Sequence, residues 1–185
     1  LFDLDRIGMF VAGGDVELRQ TRIQTRATAD DGGGRALVLQ PGPETQLRSN
    51  ATVYESALEL ASGFGVMVGE SNLSLERSLV RDVGPEDGPF GDAAFGDCVA
   101  ALPTATVSIQ ATRLAQAARA GLSLFGATGS LGASEPSCVP LDIAVQDLDG
   151  SQAMLSDDGG NRCVCDGSEH VCSATATDIE PPSAR

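Results

Sequence analysis

The chain has 185 residues, 42% of them hydrophobic, with a mean hydropathy near zero, enough for one folded domain with a filled core. Its 26 acidic and 12 basic residues leave a formal charge of −14, which repels phosphate backbones and anionic surfaces and argues against nucleic acid as a partner. No run of eighteen apolar residues occurs, so membrane insertion by a helix is not expected.

Finer composition narrows the field further. Every basic residue apart from the single His170 is an arginine, tryptophan is absent and Tyr54 is the only tyrosine, so aromatic faces for stacking sugars are scarce. Leu1 is not followed by a charged region and an apolar one, so the start reads as mature or trimmed and says nothing of compartment.

In chain order, the first short apolar pair is Met9 and Val11, followed by the turn Ala12-Gly13-Gly14 and the segment DVELRQTRI, 15 to 23. A polar insertion, TRATADDGGG at 25 to 34, precedes a second pair, Leu37 and Leu39, and the turn QPGPE. ETQLRSNATV at 44 to 53 reads as a degenerate copy of the first segment, with Leu47, a polar Asn50 and a displaced Val53. ESALELAS at 55 to 62 reads as a second insertion.

The third turn of the pattern is the clearest. Val66 and Val68 precede Gly69-Glu70-Ser71 and then NLSLERSLV, 72 to 80. A third insertion, VGPEDGPFGDAAFGD at 83 to 97, leads to Cys98, Ala100 and Leu102, matched in register to Phe64, Val66 and Val68. In that register Cys98 points inward as a small hydrophobe and is the odd cysteine. TVSIQATRL at 106 to 114 follows; RLAQAARAG, 113 to 121, has the propensity of a short helix ending at Gly121. Leu122, Leu124 and Leu131 continue the pattern as it fades.

Superposed, the three nine-residue segments share apolar second positions (Val16, Leu73, Val107), apolar fourth positions (Leu18, Leu75, Ile109) and apolar ninth positions (Ile23, Val80, Leu114). The spacing is too short for separate sandwich strands and wrong for an amphipathic helix. Alternating side chains, two inward positions per strand and tight corners describe a three-sided coil whose rungs pair in parallel. Thr21, Asn50, Ser78 and Thr112 form the expected hydroxyl or amide column at one bend. Val11, Leu39, Val68, Leu102 and Leu124 form the expected inward file, and insertions are expected after the third strand of each rung.

These residues resemble the right-handed parallel β-helix family, the pectate-lyase-like fold, especially its degenerate versions in bacterial surface and secreted proteins. The expected fold is therefore all-β: a right-handed parallel β-helix of about five to seven rungs with a disulfide-pinned C-terminal segment. Residues 1–136 hold the rungs; residues 137–185 hold a last rung, with Val139, Leu141, Ile143 and Val145 alternating, then a Cys-rich cap and a polar tail. A β-sandwich is the competing architecture.

Cys138, Cys163, Cys165 and Cys172 are the disulfide candidates, with Cys163 and Cys165 too close in sequence to pair with each other and Cys138 tying the last rung to the tail. Such stapling points to an extracellular or cell-surface setting. The same stretch with His170 offers metal ligands, but without paired C-x-x-C knuckles.

The insertions carry Asp30, Asp31, Glu86, Asp87, Asp92 and Asp97, and further on come Asp147 and Asp149. Asp30, Asp31, Asp87, Asp92, Asp147 and Asp149 are the candidate metal ligands, and Ca²⁺ is the cation such oxygen-rich loops suit; a solvated acidic face is the alternative. EF-hand spacing is absent.

The resemblance implies two functions. One is a non-enzymatic structural or adhesive module, assembling with itself through an exposed terminal rung or binding an extracellular glycan or protein. The other is a Ca²⁺-dependent polysaccharide lyase or other glycan-active enzyme, for which Asp30-Asp31 with Arg26 or Arg35 is the best local set. The Asn-Thr-Asp, Gly-His-Gly and Arg-Ile-Lys motifs of the polygalacturonase branch do not occur. No catalytic residue is assigned.

Overall fold

The computed structural model describes residues 7–25, 34–87 and 94–176. The chain winds as a right-handed parallel β-helix with three walls of seven, six and seven strands. The first wall stacks Ile7–Ala12, Arg35–Gln40, Phe64–Val68, Asp97–Ala101, Ala120–Phe125, Leu141–Gln146 and Ala174–Ala176. The second stacks Asp15–Arg19, Asn50–Tyr54, Asn72–Glu76, Thr106–Gln110, Thr128–Gly132 and Met154–Gly159. The third stacks Arg22–Gln24, Ala57–Glu59, Leu79–Val83, Arg113–Ala117, Glu135–Ser137 and Cys163–Cys165, and Ser168–His170 folds back antiparallel on the last of these. Six full rungs result, with Ala174–Ala176 opening a seventh.

The interior is filled by columns. In the second wall Leu18, Val53, Leu75, Ile109 and Leu131 pair in register, each at most 7% exposed. In the first wall Val11, Leu39, Val68, Ala101, Leu124 and Val145 pair in register too, buried except at the ends, where Val11 and Val145 are partly exposed. Burying each large aliphatic side chain contributes about 1.5–3 kcal/mol, and every column spreads that gain along the axis.

The corner between second and third walls shows why the rungs stay aligned. Its first residue is left-handed in every rung: Gln20 (φ 48°), Glu55 (47°), Arg77 (45°), Ala111 (49°), Ala133 (47°) and Gly160 (74°). The left-handed residue turns the chain sharply, and the next residue supplies the ladder: Thr21, Ser56, Ser78, Thr112, Ser134, Asn161. Each backbone N–H donates to the side-chain oxygen one rung on, at 3.0, 3.1, 3.2, 3.2 and 3.0 Å. Each hydroxyl donates back to the carbonyl two residues earlier in its own rung, as Ser78 does to Glu76 at 2.8 Å and Ser134 to Gly132 at 2.8 Å. Buried donors and acceptors are thus satisfied along the whole corner.

Four expectations are corrected by this geometry. The ladder member in rung two is Ser56, not Asn50; Asn50 instead links Asp15 and Asn72 in a separate exposed ladder, at 2.7 Å to each. The second copy of the repeat is accordingly residues 50–58, and Leu47, 62% exposed, lies in the connection before it. ESALELAS is not an insertion, since Ala57–Glu59 is the third-wall strand of rung two. RLAQAARAG is strand, not helix: Arg113–Ala117 pairs on both sides, so partner strands override its helix propensity.

The inward file also shifts by one residue in rung four. Val99 and Ala101 pair with Val66 and Val68, so Ala100 and Leu102 face outward into a second apolar layer with Val38, Phe64, Met67, Phe95 and Phe125. Cys98 is free and fully buried as expected, but at the level of Gly65, not Phe64. A Cβ at Gly65 would sit 2.6 Å from both the Cys98 carbonyl oxygen and Val80 Cγ1, so only glycine fits beside the Cys98 backbone. Insertions occur at two corners rather than one, because the segments 41–49 and 147–153 lengthen the corner between first and second walls.

Three stability outcomes follow. Thr112→Val strips the acceptor from Ser78 N–H and is expected to cost about 1–3 kcal/mol in urea unfolding, whereas Leu47→Ala stays within about 0.5 kcal/mol. Ala111→Gly, which relieves a left-handed alanine, is expected to be neutral or stabilising by up to about 1 kcal/mol, the opposite of the usual sign for Ala→Gly.

Candidate functional site

The corner between third and first walls gathers the polar groups that the fold leaves at its surface. Gly34, Ser62 and Gly84 stack there at the roots of successive connections: Gly34 N–H donates to Ser62 O at 2.9 Å and Gly63 N–H to Gly84 O at 2.9 Å. Ser62 Oγ donates to Pro85 O at 2.9 Å. The third connection then forms a short antiparallel hairpin, Glu86–Asp87 with Ala94–Phe95. The described roots of these connections therefore lie at one corner of the coil.

Above this edge, on the outer face of the first wall, charge is buried. Asp97 is fully buried and takes Arg119 through two hydrogen bonds, one of 2.8 Å from Nε and a shorter one from Nη2. Arg119 Nη2 also donates to Ser123 Oγ at 3.0 Å, and its guanidinium stands 5.5 Å from the ring centroids of both Phe95 and Phe125. Burial pushes the Asp97 carboxyl upward, against the pull of Arg119. Asp97 is thus part of a desolvated ion pair and not of a solvated acidic face. Beside it Arg35 stacks over Phe64 at 5.6 Å and lies 3.4 Å from Glu86, whose carboxyl is likewise raised by burial, with Arg35 opposing.

A second charged centre sits on the third wall. Glu59, 4% exposed at its side chain, accepts from Arg22 at 2.5 Å, Gln24 at 3.0 Å and Arg81 at 2.7 Å, donors from the two rungs that flank its own. Burial raises its carboxyl, but the hydrogen bonds from Arg22, Arg81 and Gln24 outweigh that and hold it below the ordinary carboxylate range. Tyr54 lies under two more arginines, Arg19 at 5.3 Å and Arg77 at 4.4 Å from its ring centroid, and Arg77 pairs with Glu55 at 2.9 Å. A shallow groove lined by Gln20, Arg22, Glu55 and Arg77 runs along this corner.

The C-terminal cap forms the third centre. Cys138 bonds Cys165 and Cys163 bonds Cys172, so both disulfides lie within the segment expected to be pinned. Asp166 (φ 50°) and Gly167 (φ 77°) make the two-residue turn of the hairpin between Cys163–Cys165 and Ser168–His170. Asp142, 6% exposed, follows Gly8, Ala36, Gly65, Cys98 and Gly121 in one column and ends it with a carboxylate. That carboxylate accepts from His170 Nε2 at 3.1 Å and from Ser173 N–H at 3.0 Å, tying the hairpin to the first-wall strand Leu141–Gln146.

Of the candidate metal ligands, Asp30, Asp31 and Asp92 lie outside the described residues. Asp87 pairs through its backbone with Ala94. Asp147 and Asp149 occupy the exposed turn that Leu148 and Ser151 close, where Asp147 Oδ1 accepts from Ala153 N–H at 2.8 Å. Among the described residues, the donors that converge are Cys138, Cys165 and Asp166, and Asp142, Cys163 and His170. Asp142, Arg119 and Glu59 were not singled out in the sequence; a carboxylate breaking a column of small residues is the signal that marks Asp142.

Comparison with family models, with curated proteins and with solved structures finds no match to this chain.

The ion pairs make two measurable statements. Arg119→Met leaves Asp97 buried without its partner and is expected to cost about 3–5 kcal/mol, much of it regained when Asp97 is also replaced by leucine. Glu59 has a lowered folded pKa, so its contribution is complete above the unfolded carboxylate value of about 4.3 and is lost as pH falls through the folded one. Glu59→Gln should therefore flatten the acid limb of the stability curve below about pH 4.3.

Proposed function

We propose that this protein is a non-enzymatic structural or adhesive module of the cell exterior, a stiff rod that stacks through its first rung on a neighbouring subunit. The observation that carries this reading is the apolar inward file of the first described rung, against the two carboxylates that enter the interior columns at the sixth. At the sixth rung two of the columns run into Asp142 and Asp157, and a hairpin held by two disulfides extends the third wall beyond it. At the first rung, among the described residues, the inward side chains Met9, Val11, Val16 and Ile23 are only partly buried, and Phe10 is 49% exposed.

Three further features support it. Disulfides form and persist in oxidising compartments, the setting of secreted and surface proteins. The Thr21-to-Asn161 ladder and the ion pairs of Glu59 with Arg22 and Arg81 cross from rung to rung, which resists bending along the axis. The formal charge of −14 keeps such rods apart except where a specific contact forms.

Sedimentation velocity at micromolar concentration tests the reading: association is expected, and Val11→Lys is expected to return the protein to monomer. A monomer across the range removes the stacking. Incubation with acidic polysaccharides, with and without Ca²⁺, is expected to give no cleavage; chain scission would replace this reading with the lyase one.

A further inference from the structure

We propose that the C-terminal cap holds a metal site masked by its own disulfide: when Cys163–Cys172 is reduced, the two thiolates, His170 and Asp142 together bind a thiophilic divalent cation, Zn²⁺ being the natural one. The proposal stands independently of the structural role above.

The donors already converge. Asp142 carboxylate oxygens lie 3.2 and 3.1 Å from His170 Nε2, and a ligand atom of each of Asp142, Cys163 and His170 lies within 4.8 Å of the others. Zn–O and Zn–N bonds of about 2.0–2.1 Å with Zn–S bonds of about 2.3 Å require ligand atoms some 3.3–3.8 Å apart in a tetrahedron. Oxygen and nitrogen are thus nearly at their final separation. Cys172 is the fourth donor, bonded to Cys163, with the two Cα atoms 5.1 Å apart. The sulfurs need only part by less than 2 Å once the bond opens.

The surroundings favour a closed site. Cys163 is fully buried and Asp142 nearly so, and Asp142 is held in place by Ser173 N–H at 3.0 Å, an outer hydrogen bond of the kind that orients a ligating carboxylate. His170 sits directly across the hairpin from Cys163 in an antiparallel pair, which fixes the side on which both project. In the oxidised protein the sulfurs are bonded to each other and are not thiolates, so the donor set is incomplete. The group of Cys138, Cys165 and Asp166 lacks an imidazole, and its carboxylate is exposed.

The chemistry balances with a dithiol as reductant. The dithiol gives two electrons and two protons to the Cys163–Cys172 bond and leaves as its own disulfide. Zn²⁺ then displaces the two thiol protons to solvent and forms two Zn–S bonds. The hairpin is clamped either way, by a covalent bond when oxidised and by the cation when reduced.

The test uses the full chain carrying Cys138→Ser and Cys165→Ser, which removes the other thiol pair, reduced with a dithiol that is then removed under anaerobic conditions. Co²⁺ titration is expected to give one equivalent bound, with thiolate charge-transfer bands and the visible bands of tetrahedral cobalt, displaced by Zn²⁺; the oxidised chain gives none. His170→Ala, at a half-exposed side chain that leaves the fold intact by circular dichroism, is expected to weaken binding at least roughly tenfold. Absence of the cobalt bands in the reduced chain, or unchanged affinity in His170→Ala, overturns the proposal.

Discussion

Parallel pairing of each strand with its counterpart one rung away is the constraint on which the rest of the structure depends. Because the register is the same in all three walls, a residue's neighbours along the axis are its equivalents, and like must stack on like. Leu75 meets Val53 and Ile109, while Ser78 meets Ser56 and Thr112. A buried hydroxyl is costly alone but cheap in a column, since each one accepts from one rung and donates within its own. The left-handed corner residue makes this possible by aiming the following N–H along the axis, and five of its six occurrences are not glycine. The local strain of those residues is offset by hydrogen bonds on both sides.

The same logic decides what was legible in the sequence. Where the corner between first and second walls is only two to four residues long, the segments 15–23, 72–80 and 106–114 superpose directly, and the columns through Leu18, Leu75 and Ile109 can be read by eye. The copy at 50–58 was displaced because the segment 41–49 adds a polar and apolar mixture, Leu47 included, that imitates a repeat without contributing to the core. In rung four the alternation failed as a guide for a different reason. The first wall is buried on both faces there, so Val99, Ala100, Ala101 and Leu102 are all apolar and the period of two has no polar phase to mark it. Asp97 read as a surface acid because its partner, Arg119, is 22 residues away, one rung on.

The surface follows from the rungs as well. Pairs such as Arg113 with Glu135 and Arg77 with Glu55 join side chains one rung apart, and Glu59 draws cations from the rungs on both sides. Exposed pairs of this kind contribute little singly, and their effect here is to tie neighbouring rungs laterally. At the sixth rung two columns change character: Asp142 and Asp157 stand where small or aliphatic residues stood before, Asp142 accepting from His170 and Ser173 in the cap and Asp157 from Gly159 and Asn161 in its own rung. The disulfides then hold in place a hairpin whose own strands are three residues each and too short to persist alone.

The central claim, that the polypeptide winds so that residues 17, 52, 74, 108, 130 and 156 lie in one file on the second wall, is open to direct distance measurement. Spin labels at Glu17→Cys paired in turn with Ser108→Cys, Ser130→Cys and Ser156→Cys report separations of three, four and five rungs by pulsed electron resonance. The account predicts distances that grow by a constant step, near 14, 19 and 24 Å at about 4.8 Å per rung. Distances that fail to rise in that order, or that rise by unequal steps beyond the reach of the labels, contradict it.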